Sequence, residues 1–312
     1  MIEVRNLTKY FGAKKVVDSI SFQMEKGEIL GFLGPNGAGK STTMRMITGF
    51  IPPSGGTAVV GDADIIEDSI SARSKIGYLP ENAPVYPDMT VHGYLDFCAE
   101  IRGFAGAERK KRVADTLEKC FLTEVRYQSI NTLSKGFKQR VCFAQSIIHD
   151  PGYLILDEPT DGLDPNQKHE VRLMIQRMSA DKAIILSTHI LEEMDAVCTR
   201  AIIIAKGHIV ADDTPSNLRT YSSVHGAVSL TLRGSDSEGF LSFVQGVSGV
   251  RTAKILEQNA DEFRVRVFPE KPDVIIADKV LASLSQRSDD VKSVFVEKGR
   301  LEEVFRNITS DS

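Results

Sequence analysis

The sequence predicts an α/β fold, a parallel sheet with helices on both faces, followed by a small α+β domain. Three observations carry this expectation. Short apolar runs rich in β-branched residues recur at positions 29–33, 76–79, 153–156, 183–186 and 201–204, separated by stretches with helical periodicity; strands that alternate with helices build a parallel sheet. The run at 29–33 passes without a linker into a glycine-rich segment that ends in Lys40, Ser41 and Thr42. A chain of 312 residues is long enough for two domains, one of about 200 residues and one of about 100.

Between residues 82 and 150 the strand pattern gives way to helices. Thr90 is placed to cap a helix whose apolar face is Val91, Tyr94, Leu95, Cys98 and Ile101, a spacing of three and four residues. This stretch is expected to be a helical insertion in a sheet domain spanning residues 1–220. Beyond Thr214 and Pro215, near residues 221–226, alternating segments resume at 227–232, 250–256, 262–268 and 291–296, with helical patterns at 238–244 and 272–284. The order strand, helix, two strands, helix, strand predicts a ferredoxin-like domain over residues 225–312.

The composition excludes several classes. An apolar fraction of 42% and a charged fraction of 26% are those of a folded globular chain, and a net charge of −4 gives no pull toward nucleic acid. The basic run Arg109, Lys110, Lys111, Arg112 reads as a solvated helix face. Cys98, Cys120, Cys142 and Cys198 stand at no metal-ligand or redox spacing. No apolar stretch approaches the roughly 18 residues that cross a bilayer, and the amino terminus lacks signal-peptide regions; a cytoplasmic location is expected.

The segment Gly34, Pro35, Asn36, Gly37, Ala38, Gly39, Lys40, Ser41, Thr42 fulfils the phosphate-binding P-loop pattern. Its glycines let the backbone curl so that N–H groups face the phosphates, and the next helix begins with its positive end toward the same anion. Lys40 adds a charge at the β- and γ-phosphates, and Ser41 offers a hydroxyl to Mg2+. Nucleotide, and so ATP with Mg2+, is the expected ligand. The strand at 153–156 delivers Asp157 to the metal and Glu158, one residue further, to the attacking water as proton acceptor. Helix capping is the plain alternative for this pair, against which Pro159 stands.

Three further segments narrow the class. Thr132 to Arg140, with Ser134 and Gly136, resembles the signature loop of ATP-binding cassette (ABC) proteins; Asp161 to Asp164 resembles their D-loop, and Ser187, Thr188, His189 their switch histidine. The resemblance covers residues 1 to about 215 and implies an ABC ATPase domain. It also implies that Ser134 and Gly136 contact the γ-phosphate of nucleotide held by an opposite subunit, and that His189 bonds the γ-phosphate. Lys135 and Phe137 depart from the commonest signature. Ser134 doubles as a helix cap, and Asp164 with Pro165 reads as a cap and first helical residue. Leu7 to Gly12 resembles the aromatic loop, which makes Phe11 the adenine-stacking residue, with Tyr10 second and core packing of the ring as the alternative. Residues 76–82 stand at the Q-loop, with Glu81 where Gln is usual, a carboxylate able to reach Mg2+.

The Pro80, Glu81, Asn82 sequence, the signature and the terminal Arg300 to Phe305 together resemble type 2 exporters of the gliding-motility-associated and multidrug branch. That resemblance implies an ATPase that pairs with a second copy or a homologous subunit beneath integral membrane permease subunits, on the cytoplasmic face, and drives export by ATP-driven closure. An ABC ATPase that remodels an envelope complex without moving cargo is the alternative; the single cassette and absence of a basic domain weigh against a translation or repair ATPase.

Overall fold

A computed structural model describes residues 1–81, 85–271, 274–284 and 290–310. Asn82 of the Q-loop and Pro272, at the start of an expected helix, lie outside the described residues. The chain divides into two compact units, Met1–Thr214 with the chain end from Thr309, and Pro215–Ile308.

In the first unit, β1 (Ile2–Phe11), β2 (Lys14–Met24) and β3 (Ile29–Leu33) lead to α1 (Lys40–Ile47). Then come β4 (Gly55–Val60), β5 (Ala63–Asp64), α2 (Ser69–Ser74) and β6 (Ile76–Leu79). Three helices follow: α3 (Val91–Ile101), α4 (Gly106–Lys119) and α5 (Lys135–Ile147). The unit closes with β7 (Tyr153–Asp157), α6 (Pro165–Met178), β8 (Ala183–Thr188), α7 (Leu191–Val197), β9 (Arg200–Ala205) and β10 (His208–Asp213).

Six strands form the main sheet in the order β10-β9-β3-β8-β7-β6, parallel except for β10 against β9. Every residue of β3, β7 and β8 is buried, as strands covered on both faces must be, which is why their sequences are unbroken apolar runs. Because β3, β8 and β7 are neighbours, the loops that leave their carboxyl ends meet at one edge of the sheet. The register sets Leu33 beside Thr188 and Asp157 beside Ser187.

A second sheet, β2-β1-β4-β5, is antiparallel. Its apolar side, with Ile2, Val4, Leu7 and Phe22, shares one core cluster with Met44, Met46 and Ile47 of α1 and Phe32 of β3. The expected aromatic loop therefore lies in strand: β1 runs through Phe11, and the chain turns at Gly12 (φ 58°).

Between β6 and β7 the described residues form no strand longer than an isolated bridge. Thr90 caps α3 by accepting from Gly93 N at 3.1 Å; Val91, Tyr94 and Leu95 are buried, while Ile101 is exposed. On α4, Arg112 pairs with Glu108 one turn away. All four cysteines are free thiols, and among the described residues no helix is long and apolar enough to cross a membrane.

The second unit contains α8 (Pro215–Thr220), β11 (Val228–Arg233), α9 (Ser237–Gln245), β12 (Val250–Gln258), β13 (Glu262–Pro269), α10 (Ala277–Leu284), β14 (Asp290–Val296) and α11 (Leu301–Ser310). Its sheet order is β12-β13-β11-β14, antiparallel throughout, the split βαβ arrangement of a ferredoxin-like fold. Leu230, Leu232, Val265 and Val267 meet Phe240, Val244 and Val280 of the two helices in its core.

Candidate active site

The P-loop joins β3 to α1. Gly39 caps α1 with a left-handed backbone (φ 111°) and no side-chain bond, so the first amides of the helix are left for an anion. A Cβ on Gly39 would lie 2.9 Å from the Val16 carbonyl, so both backbone conformation and space call for glycine. Lys40 folds back over the loop and donates to the carbonyls of Gly34 (2.7 Å) and Pro35 (3.3 Å). Burial holds its ammonium below the ordinary lysine range, partly offset by Glu158, Asp157 and Glu81.

A cavity of about 310 Å³ opens here, lined by Asn36, Gly37, Gly39, Lys40, Ser41, Thr42, Glu81 and Glu158, together with Val16. Asp157, at the end of β7, is fully buried. Its Oδ1 accepts from Ser41 Oγ (3.1 Å) and Ser187 Oγ (2.5 Å), while Oδ2 has no hydrogen-bond partner. A buried carboxylate oxygen left open beside the P-loop serine suits a hard cation such as Mg2+. Among the described residues no three His, Cys, Asp or Glu side chains cluster as a metal site, so most ligands of such an ion would come from phosphate and water.

Glu158 has a positive φ of 50°, a conformation that costs a non-glycine residue energy. Its amide donates to Ser187 Oγ (3.0 Å), so one hydroxyl ties the backbone of Glu158 to the side chain of Asp157. Glu158 Oε2 lies 3.0 Å from His189 Nδ1. Burial raises the Glu158 carboxyl above its usual range, against the lowering effect of His189 and Lys40, which makes it a stronger proton acceptor.

Lys40, Ser41, Asp157, Glu158 and His189 thus converge from three adjacent strands. Ser134 and Gly136 do not line the cavity. Ser134 caps α5 by accepting from Phe137 N (3.4 Å). A Cβ on Gly136 would sit 2.3 Å from the Gln167 side chain. The D-loop adjoins this helix: Lys135 lies 3.7 Å from Asp161, and Gln139 donates to Pro159 O (3.2 Å). Asp164 caps α6 by accepting from Gln167 N, with Pro165 first in the helix.

Phe11 is 51% exposed and Tyr10 44%, so neither ring is core, and Lys9 stands over Phe11 at 5.3 Å. Neither lines the cavity, whereas Val16, across the same hairpin, does. Val16 enters the site without a sequence signal, and Ser187, part of the switch segment, takes a bracing place of its own beside Asp157 and Glu158. A serine closing the apolar run 183–186 was the available signal for Ser187; Val16 has none, because a valine in a strand is ordinary.

A P-loop on a parallel sheet with an acidic pair on the next strand but one defines a P-loop ATPase. The family model described as ABC transporter matches residues 17–161. The linearmycin resistance ATP-binding protein of Bacillus subtilis is 33% identical over 310 residues, 99% of this chain and 98% of that protein. An uncharacterised ABC transporter ATP-binding protein of Methanocaldococcus jannaschii is 42% identical over 67% of this chain and 76% of its own. The Nod factor export ATP-binding protein I of Paraburkholderia xenovorans is 37% identical over 70% and 72%. A solved ATP-binding subunit of an ABC transporter superposes with a TM-score of 0.64 at 30% identity, covering 70% of this chain and 92% of that one. The chain belongs to the ATP-binding subunits of ABC transporters, and its activity is ATP binding and hydrolysis.

Proposed function

We propose that the chain is the motor of an exporter, with residues 1 to about 214 as the ATPase and the remainder as an accessory domain. The observation that carries the catalytic assignment is the convergence of Ser41, Asp157, Glu158 and His189 beside one cavity. The resistance and export names of relatives support the direction of transport. Integral membrane permease subunits would form the path, and the chain would sit on the cytoplasmic face through them.

In this reading the P-loop amides and Lys40 bind the phosphates, Phe11 stacks on adenine, and Ser41 and Asp157, with Glu81 from the same cavity, hold Mg2+. That ion, when bound, offsets charge developing on the phosphates. Glu158 takes a proton from water, and its raised proton affinity suits that role. His189, bonded to Glu158, orients the carboxylate and reaches toward the γ-phosphate. Ser134 and Gly136 serve nucleotide bound to a second subunit, so each site joins two chains.

Glu158→Gln keeps the side chain's shape and removes its basicity. Turnover should fall by about 100-fold or more while ATP still binds, and size-exclusion chromatography with MgATP should show a dimer that outlasts the parent's. Parent-like turnover would refute the role of Glu158.

A further inference from the structure

Glu193 lies in the first turn of α7 with only 5% of its surface exposed, a rare place for a carboxylate. Two hydroxyls converge on its Oε2. Thr160 Oγ1 donates to it, and Thr188 Oγ1 donates at 3.3 Å. Its Oε1 is matched by charge rather than by an aligned hydrogen bond: Lys168 Nζ stands at 2.9 Å and Arg172 Nη2 at 3.8 Å, both from α6. The charge is therefore compensated, and the carboxylate forms a fixed point rather than an orphan.

The position of the two threonines gives that fixed point its meaning. Thr160 stands two residues beyond Glu158, and Thr188 immediately precedes His189. The Glu158–His189 contact spans these same two segments. The His189 side chain is 47% exposed, so packing does not fix the imidazole and its place follows from its backbone. That backbone is set by Thr188, whose hydroxyl also accepts from Ile190 N (3.0 Å). Glu158 occupies a strained conformation (φ 50°), which persists only where neighbouring contacts over-determine it. Ser187 supplies one such contact on the amide side, and the Thr160–Glu193 bond supplies another just after it.

We propose that Glu193 is a positioning residue for ATP hydrolysis: by bridging Thr160 and Thr188 it sets the separation of the segments that carry Glu158 and His189. The inference rests on the catalytic reading of Glu158. The partners of Glu193 are Thr160, Thr188, Lys168 and Arg172, all outside the P-loop, so its loss acts chiefly on the chemical step rather than on nucleotide binding.

Glu193→Ala alone is ambiguous, because it strands two cations and can unfold the chain. Thr160→Val is the sharper change, since it keeps shape and removes one donor. In the full-length protein its kcat should drop by about tenfold, with KM for ATP within about twofold of the parent. Thr160→Ser, which restores the hydroxyl, should recover the lost rate. In a Glu158→Gln background Thr160→Val should cost nothing more, because the group it positions is already disabled. An unchanged kcat in both Thr160→Val and Glu193→Gln overturns the proposal, as does a rate loss that Thr160→Ser fails to repair. Parent-like turnover in Glu158→Gln alone would instead remove the catalytic reading beneath it.

Discussion

The P-loop side and the signature side of the ATPase unit are built from the same kinds of residue and differ in where those residues find partners. Around the P-loop, polar groups are bonded to one another beside a cavity that Ser41 and Glu158 line: Ser41 to Asp157, His189 to Glu158. On the signature side, Ser134 caps its own helix and Gly136 lies against the end of the Gln167 side chain; neither lines that cavity. One half brings its polar groups together within the chain; the other, among the described residues, uses Ser134 and Gly136 for local capping and packing. This contrast supports the proposal of a site shared by two subunits.

The most demanding test of that contrast mixes two inactive variants. Lys40→Ala lacks the phosphate-holding charge and Ser134→Arg blocks the signature surface, and each alone should lose about 100-fold or more in turnover. In a mixed dimer one site combines the intact Lys40 of one chain with the intact Ser134 of the other, so ATPase activity should partly return. No recovery in a verified mixed dimer, together with no ATP-dependent crosslink between cysteines placed at Ser134 and in the opposing P-loop, would show that the signature does not act in trans.

A smaller effect separates packing from chemistry. Gly136→Ala puts a methyl group where the amide end of Gln167 now lies; that flexible side chain can swing aside, and alanine favours the helix, so stability should change by less than about 1 kcal/mol in chemical denaturation. A loss well beyond that, unrelieved by Gln167→Ala, would mean that something other than this contact excludes a side chain at position 136.

The smallest expected effect is on pH-dependent stability. Burial raises the Glu158 carboxyl above its unfolded value, so the ionised side chain penalises the folded state at high pH. The penalty is complete above the folded pKa and fades as pH falls through it toward the unfolded value. Glu158→Gln removes it, so the variant should melt at a higher temperature than the parent at pH 8, with the gap closing in acid. A gap that widens in acid would mean the opposite shift.

What the sequence made legible follows the same contrast. Strands β3, β6, β7, β8 and β9 are buried apolar runs, and the loops that leave β3, β7 and β8 carry residue types that only phosphate chemistry assembles in that order. The antiparallel sheet was not read. In β1 and β2 apolar and polar residues alternate imperfectly, because Asn6 and Ser19 adopt left-handed backbone conformations (φ 48° and 49°) and the register slips between Val4 and Leu7, breaking the period of two. Thr90, Ser134 and Asp164 were recognisable as caps because capping is local. Glu193 was not recognisable as a brace, because its partners lie 33, 5 and 25 residues away in sequence and an acidic first-turn residue has an ordinary explanation. In the second unit the strand and helix order was legible, and the antiparallel order β12-β13-β11-β14 has the ferredoxin-like form it implied.

The helical insertion leaves the main sheet from β6 and returns through β7, and β6 is the outermost strand. Its length and surface can therefore change without prising apart the three neighbouring strands that carry the reactive loops. Such a layout separates two degrees of constraint within one unit: the outer helices α3 and α4 of the insertion can vary, while Ser134, Gly136 and the loops that leave β3, β7 and β8 keep their places.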